Sequence, residues 1–82
     1  MEGEKIKVLL FGVLKDIIGL NEIYIEKMNI EDVNSLKKYL LYKFPALKNY
    51  SFSIAVNYEI VHENKELKSN DEVALIPPVS GG

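Results

Sequence analysis

The residues best suited to chemistry in this 82-residue sequence gather at its end, "LIPPVSGG", Leu75 to Gly82. Pro77 and Pro78 offer no N–H and hold the backbone near an extended polyproline conformation, so they end a strand and send the chain away from it. Val79, with Ser80 beside it, can anchor in an apolar notch. Gly81 and Gly82 have no side chains, so they fit a narrow channel and reach backbone angles closed to other residues. The reactive group this pattern implies is the α-carboxylate of Gly82. As an anion it is a poor electrophile and needs activation, most simply by ATP as an acyl adenylate. A sulfur nucleophile can then displace AMP and leave a thiocarboxylate, whose sulfur is exposed, anionic and nucleophilic. Drawn out, Pro78 to Gly82 spans at most about 16–18 Å, enough to carry that group into a partner's active site.

No other constellation competes with this one. Cysteine is absent, which removes disulfides, thiolate ligands and cysteine nucleophiles, and leaves no internal thiol to intercept an activated end. His62 is the only histidine, and its neighbours in sequence supply neither metal-ligand spacing nor an acid-base partner, so it reads as a plain surface or strand residue. The carboxylates are scattered along helix and loop as solvated surface. Tyr39 and Tyr42 are expected to pack at the core margin. Lys65 and Lys68 are expected to serve solubility first, with steering of an acidic partner as the sharper alternative. No metal and no tightly bound cofactor is expected; ATP enters only through an activating enzyme.

The elements that must hold the tail follow from size and pattern. Eighty-two residues make one domain, and 48% apolar with 27% charged residues describes a globular chain. Ten basic against twelve acidic side chains, net −2, lack the basic excess that phosphate contacts require, so nucleic acid is not expected as a partner. The start, "MEGEKIKVLLFGVL", fits neither a signal peptide nor a membrane span, and a cytoplasmic protein is expected.

In "KIKVLLF", Ile6, Val8 and Leu10 alternate with Lys5, Lys7 and Leu9, the period of a strand with one buried face. "VLKDIIGL" gives about two helical turns closed by Gly19. "NEIYIEK" alternates again, with Ile23 and Ile25 inward, as a strand pairing hairpin-like with the first. From Ile30 the period changes: Val33, Leu36, Leu40 and Phe44 mark one long helix, with Asn29 as its cap, Glu31 and Asp32 near its positive end and Pro45 as its stop. "FSIAVN" and "EIVH" read as strands joined by a tight turn at Asn57 and Tyr58. A polar stretch pinned by Leu67 follows, with Asn70 in a left-handed turn, and "EVALIP" is the last strand. Five strands and one main helix specify an α+β roll of the β-grasp, ubiquitin-like kind, with a mixed sheet packed on that helix. The domain is expected over 1–77, and an extended tail over 78–82.

The string "DEVALIPPVSGG", Asp71 to Gly82, resembles the C-terminus of the MoaD-like sulfur carriers, the small subunits of molybdopterin synthase in the MoaD/ThiS superfamily. "KVLLFGVLKDIIG", "AVN" at Ala55 to Asn57 and the helix ending "KFP" resemble that family too, so the likeness spans Lys5 to Gly82. It implies that a MoeB-like adenylyltransferase activates Gly82 with ATP. It implies too that the thiocarboxylate enters a MoaE-like large subunit, in a heterotetramer, to donate sulfur to cyclic pyranopterin monophosphate for the molybdopterin dithiolene. The family's partner-facing patch maps onto Phe11, Ile60 and Ile76, with Lys15, Pro77, Pro78, Val79 and Ser80 alongside. Lys15 stands where many relatives carry arginine, which keeps the charge and loses a bidentate donor. Asn70 stands where relatives often carry glycine, and both accept a left-handed turn. Alone the chain is then a carrier, and it is part of an enzyme only within the synthase. The alternatives are sulfur delivery for thiamine or tRNA, a ubiquitin-like modifier joined to lysines, and a binding module whose tail does no chemistry.

Overall fold

The computed structural model describes residues 4–28 and 30–78. Its elements are β1 (Lys5–Leu10), α1 (Gly12–Ile18), β2 (Glu22–Glu26), α2 (Val33–Lys43), a 3-10 helix (Pro45–Asn49), β3 (Ser53–Val56), β4 (Glu59–Val61) and β5 (Glu72–Ile76). The five strands form one mixed sheet in the order β2-β1-β5-β3-β4. β1 runs antiparallel to β2 and parallel to β5, while β3 is antiparallel to both β5 and β4. This is the expected β-grasp roll. The last strand lies between the first and the third, so Pro77 and Pro78 follow a strand in the middle of the sheet.

Alternation in β1 places Ile6, Val8 and Leu10 inward, where they are almost fully buried with Ile25, Ile54, Val56, Val73 and Leu75. α2 covers that face with Val33, Leu36 and Leu40. A fully buried aliphatic side chain contributes roughly 1.5–3 kcal/mol, so this layer is the main source of stability. Among the described residues the core contains no buried polar or charged residue.

α2 begins three residues later in the sequence than the hydrophobic period suggests, at Val33, because Asp32 is its cap. The Asp32 carboxylate accepts from the Ser35 N–H at 2.8 Å, and the Ser35 hydroxyl oxygen accepts from the Asp32 N–H at 3.1 Å, a reciprocal capping box. Asn29, expected as the cap, lies outside the described residues, and Asp32 occupies that role. The helix ends at Lys43, where the Phe44 N–H still reaches the Leu40 carbonyl at 2.8 Å. Pro45 both stops α2 and opens the 3-10 helix, whose Leu47 is fully buried; the sequence pattern did not reveal that element. Tyr42, expected at the core margin, is 83% exposed, because its position on α2 falls on the side away from the sheet.

The polar stretch after β4 is tied down as expected. Leu67 is buried, its N–H donates to the Glu31 carbonyl at 2.8 Å, and the Val33 N–H donates to the Lys65 carbonyl at 2.9 Å. Asn70 takes φ 70° and donates its N–H to the Lys5 carbonyl, delivering the chain into β5 beside β1.

Candidate functional site

Parallel pairing of β1 and β5 fixes the base of the tail. Leu10 is opposite Leu75, so Phe11 and Ile76 each follow that inward pair by one residue and fall on the outer face of neighbouring strands. Phe11 is 47% exposed and Ile76 half-buried. Pro77 is half-buried and Pro78 exposed. Phe11 is also the extended residue that precedes α1, and Lys15, one helical turn further on, is exposed. Val79, Ser80, Gly81 and Gly82 lie outside the described residues.

Register sets out a second row on the same face. Leu9 stands beside Ala74, Ala74 beside Ala55, and Ala55 beside Ile60. Ile60 is 47% exposed. It is therefore on the same outer face as Ile76 but two strands away from β5, roughly 9.5 Å at the usual strand spacing. Phe11, Ile76 and Pro77 come together at the base of the tail, and Ile60 is joined to them across a floor of small side chains. Ala55, buried beneath its neighbours, and half-buried Ala74 and Leu9 are the part of this face that the sequence reading left out. The signal was present in the alternation, since each of the three falls between buried neighbours, and Ala55 and Ala74 are too small to attract notice.

At the other end of the outer face the character changes. Lys7 lies between Tyr24 on β2 and Glu72 on β5, with its ammonium 3.4 Å from Glu22 and 3.7 Å from Glu72. The Tyr24 hydroxyl donates to the same Glu22 carboxylate at 3.0 Å. The hydrogen bond and charge of Glu22 hold the Lys7 ammonium above the usual lysine range, and the bond from Tyr24 to Glu22 raises the tyrosine as well. The face is thus divided: apolar toward the tail, and a compensated charge cluster toward the β2 edge. Exposed ion pairs of this kind contribute little stability, so the cluster bounds the apolar area without competing with the core.

No three of His, Cys, Asp or Glu converge on a metal site among the described residues. His62, expected at the end of the fourth strand, is the exposed residue just after β4, beside a shallow groove with Lys37 and Asn64. Among the described residues no helix is long and apolar enough to cross a membrane. What the geometry provides is an apolar patch of a few side chains on the outer face, beside the end of β5, which lies between β1 and β3.

The chain is similar to known proteins over nearly its whole length. The ThiS family model matches residues 8–82. A molybdopterin synthase sulfur carrier subunit from Dictyostelium discoideum is 36% identical over 98% of this chain and 99% of its own. The solution structure of small archaeal modifier protein 1 from Methanosarcina acetivorans superposes with a TM-score of 0.81 at 27% identity, covering 100% of both chains. A Helicobacter pylori complex of subunits 1 and 2 of molybdopterin-converting factor matches with a TM-score of 0.72 at 28% identity, over 95% of this chain and 99% of the matched one.

Proposed function

This chain belongs to the ThiS family, and from that premise we propose that it is the sulfur-carrier subunit of a molybdopterin synthase. The observation that carries the reading is the apolar surface of Phe11, Ile60 and Ile76 set at the base of the tail, because a carrier must dock by its body to present its end. Residues 1–77 are the docking domain and 78–82 the delivery arm.

In this reading the Gly82 carboxylate oxygen attacks the α-phosphorus of ATP in a MoeB-like adenylyltransferase, and pyrophosphate leaves. Hydrosulfide then attacks the acyl carbon, the bond to AMP breaks and AMP leaves with its electron pair, and loss of the S–H proton leaves the thiocarboxylate. The loaded carrier docks on a MoaE-like large subunit and gives its sulfur to cyclic pyranopterin monophosphate. Two loaded carriers complete one dithiolene, in keeping with a heterotetramer, and the site of action is the cytoplasm. The carrier's own residues bind and orient: Phe11, Ile60 and Ile76 by apolar contact, Lys15 by charge, and Pro77 and Pro78 by stiffness. Gly81 and Gly82 supply slimness.

The test is intact mass after incubation with the activating enzyme, ATP and a sulfide source. Replacement of one oxygen by sulfur, localised to Gly82 by fragmentation and absent when Gly82 is deleted, is the expected result. No mass change with an enzyme active on another carrier would defeat the proposal. The similarity to an archaeal modifier protein favours one second reading, attachment of Gly82 to target lysines. That reading predicts Gly82-dependent isopeptide conjugates of higher mass in cells, and pterin sulfuration that proceeds without the chain.

A further inference from the structure

Gly12 and Pro77 each lie two residues beyond the paired Leu10 and Leu75, on adjacent parallel strands. Gly12 has φ +56°, in the left-handed region, and a Cβ placed on it would stand 3.0 Å from Pro77 Cγ and 4.0 Å from Pro77 Cδ. Ordinary carbon contacts settle at about 3.5–4.0 Å, so a Cβ at this position would press on the proline ring and require it to give by a few tenths of an ångström. Pro77 is half-buried at this contact, while Pro78 is already exposed.

We propose that Gly12 is a positioning residue for the tail: its bare α-carbon seats the Pro77 ring and so sets the direction in which Pro78 leaves the domain. The inference rests on the reading of Gly82 as the reacting end. The physical reason is leverage. A proline has φ fixed near −65°, so a ring pushed off its seat turns the backbone with it, and the second proline passes that turn on. Misplacement of reacting groups by about 1 Å can cost 100-fold in rate. Docking through Phe11, Ile60 and Ile76 does not depend on that angle, so the defect belongs in turnover more than in binding.

Gly19 provides the control. It closes the same helix with φ +84°, the same kind of backbone, and a Cβ there meets nothing within 4 Å. Gly12→Val and Gly19→Val therefore share left-handed strain, and only the first displaces Pro77. Both are compared with wild type for adenylation by the activating enzyme. Since the chain has no cysteine, Ser80→Cys in each background also takes a single nitroxide, whose broadening of domain amide signals reports where the tail points. The expected result is a fall in kcat of tenfold or more for Gly12→Val, with KM for the carrier within twofold, a changed broadening pattern, and neither effect in Gly19→Val. Three results would overturn the proposal: full kcat in folded Gly12→Val, an equal kcat loss in Gly19→Val, or a rise in KM alone. If the amide spectrum shows Gly12→Val unfolded, Gly12→Ala decides, with a changed tail pattern supporting the seat and an unchanged one refuting it. Failure of wild type to be adenylated counts against the function, and the nitroxide comparison still tests Gly12.

Discussion

Asn57 and Glu72 hold each other at both polar ends of the peptide: the Asn57 N–H donates to the Glu72 carbonyl at 2.7 Å, and the Asn57 side-chain oxygen accepts from the Glu72 N–H at 3.0 Å. The Asn57 amide nitrogen also donates to Asp71 at 3.0 Å, and Asp71 accepts from the Lys68 N–H at 2.8 Å. The β3–β4 turn is thereby locked to the start of β5, the strand that carries the tail.

This gives the "AVN" asparagine a structural role. Asn57 also has φ 49°, which asparagine tolerates better than most residues. Asn57→Gly keeps the backbone freedom and loses the side-chain bonds; it is expected to destabilise by about 1–2 kcal/mol in urea unfolding. Asn57→Ala, which adds left-handed strain, should lie lower still. Equal stability of Asn57→Gly and wild type would mean that the side-chain bonds add nothing.

Tyr58 is the weak point of the same turn. It has φ 73° and is 88% exposed, so its ring gains no packing in return for the strain. Two successive left-handed residues make the hairpin turn that favours Asn-Gly. Tyr58→Gly should raise stability by about 0.5–1.5 kcal/mol. A lower melting temperature would show that the ring makes a contribution the exposure conceals.

The cap of α2 predicts a pH dependence. The Ser35 N–H, then the Asn64 amide, bond the ionised Asp32 carboxylate and, with the Ser35 hydroxyl close by, hold it below the usual range. A folded-state pKa below the unfolded one means that the carboxylate's contribution is fully present above about pH 4 and is lost as pH falls through the folded value. Asp32→Asn keeps an acceptor at the cap and removes the charge. The melting-temperature gap between wild type and Asp32→Asn should be constant from pH 7 to pH 5 and close below about pH 4. A gap that persists to pH 2 would assign the effect to something other than ionisation.

The docking surface is tested by charge. Ile60→Glu places a carboxylate on the apolar row without touching the core, and should weaken binding of the large subunit about tenfold or more, with the fold intact by circular dichroism. Tyr42→Glu, on the outer side of α2, should stay within twofold. Comparable losses from both would place the interface elsewhere.

Much of this was legible in the sequence because local periodicity has a local cause. Ile6, Val8 and Leu10 alternate because a pleated strand has period two, and Val33, Leu36 and Leu40 recur because a helix has period 3.6. Asn57, Asn70 and Gly19 marked left-handed positions because few residues tolerate them. The helix start was missed by three residues because Ile30 continues the apolar pattern into a segment that precedes the cap, and only the Asp32–Ser35 exchange fixes the end. Leu47 gave no periodic signal, since one buried residue in a short 3-10 helix has no period.

The sequence by itself determined the five strands and two α-helices, the β-grasp class and the chemistry to look for at Gly82, because each depends on residues close in the chain. Tertiary structure decided the rest. Insertion of β5 between β1 and β3 puts Phe11 beside Ile76, sets Ile60 two strands away over Ala55 and Ala74, and lays Pro77 against Gly12. Those neighbours are separated by up to 65 residues, and no local pattern encodes a strand's register against a distant partner; only burial of both inward faces in one core selects it.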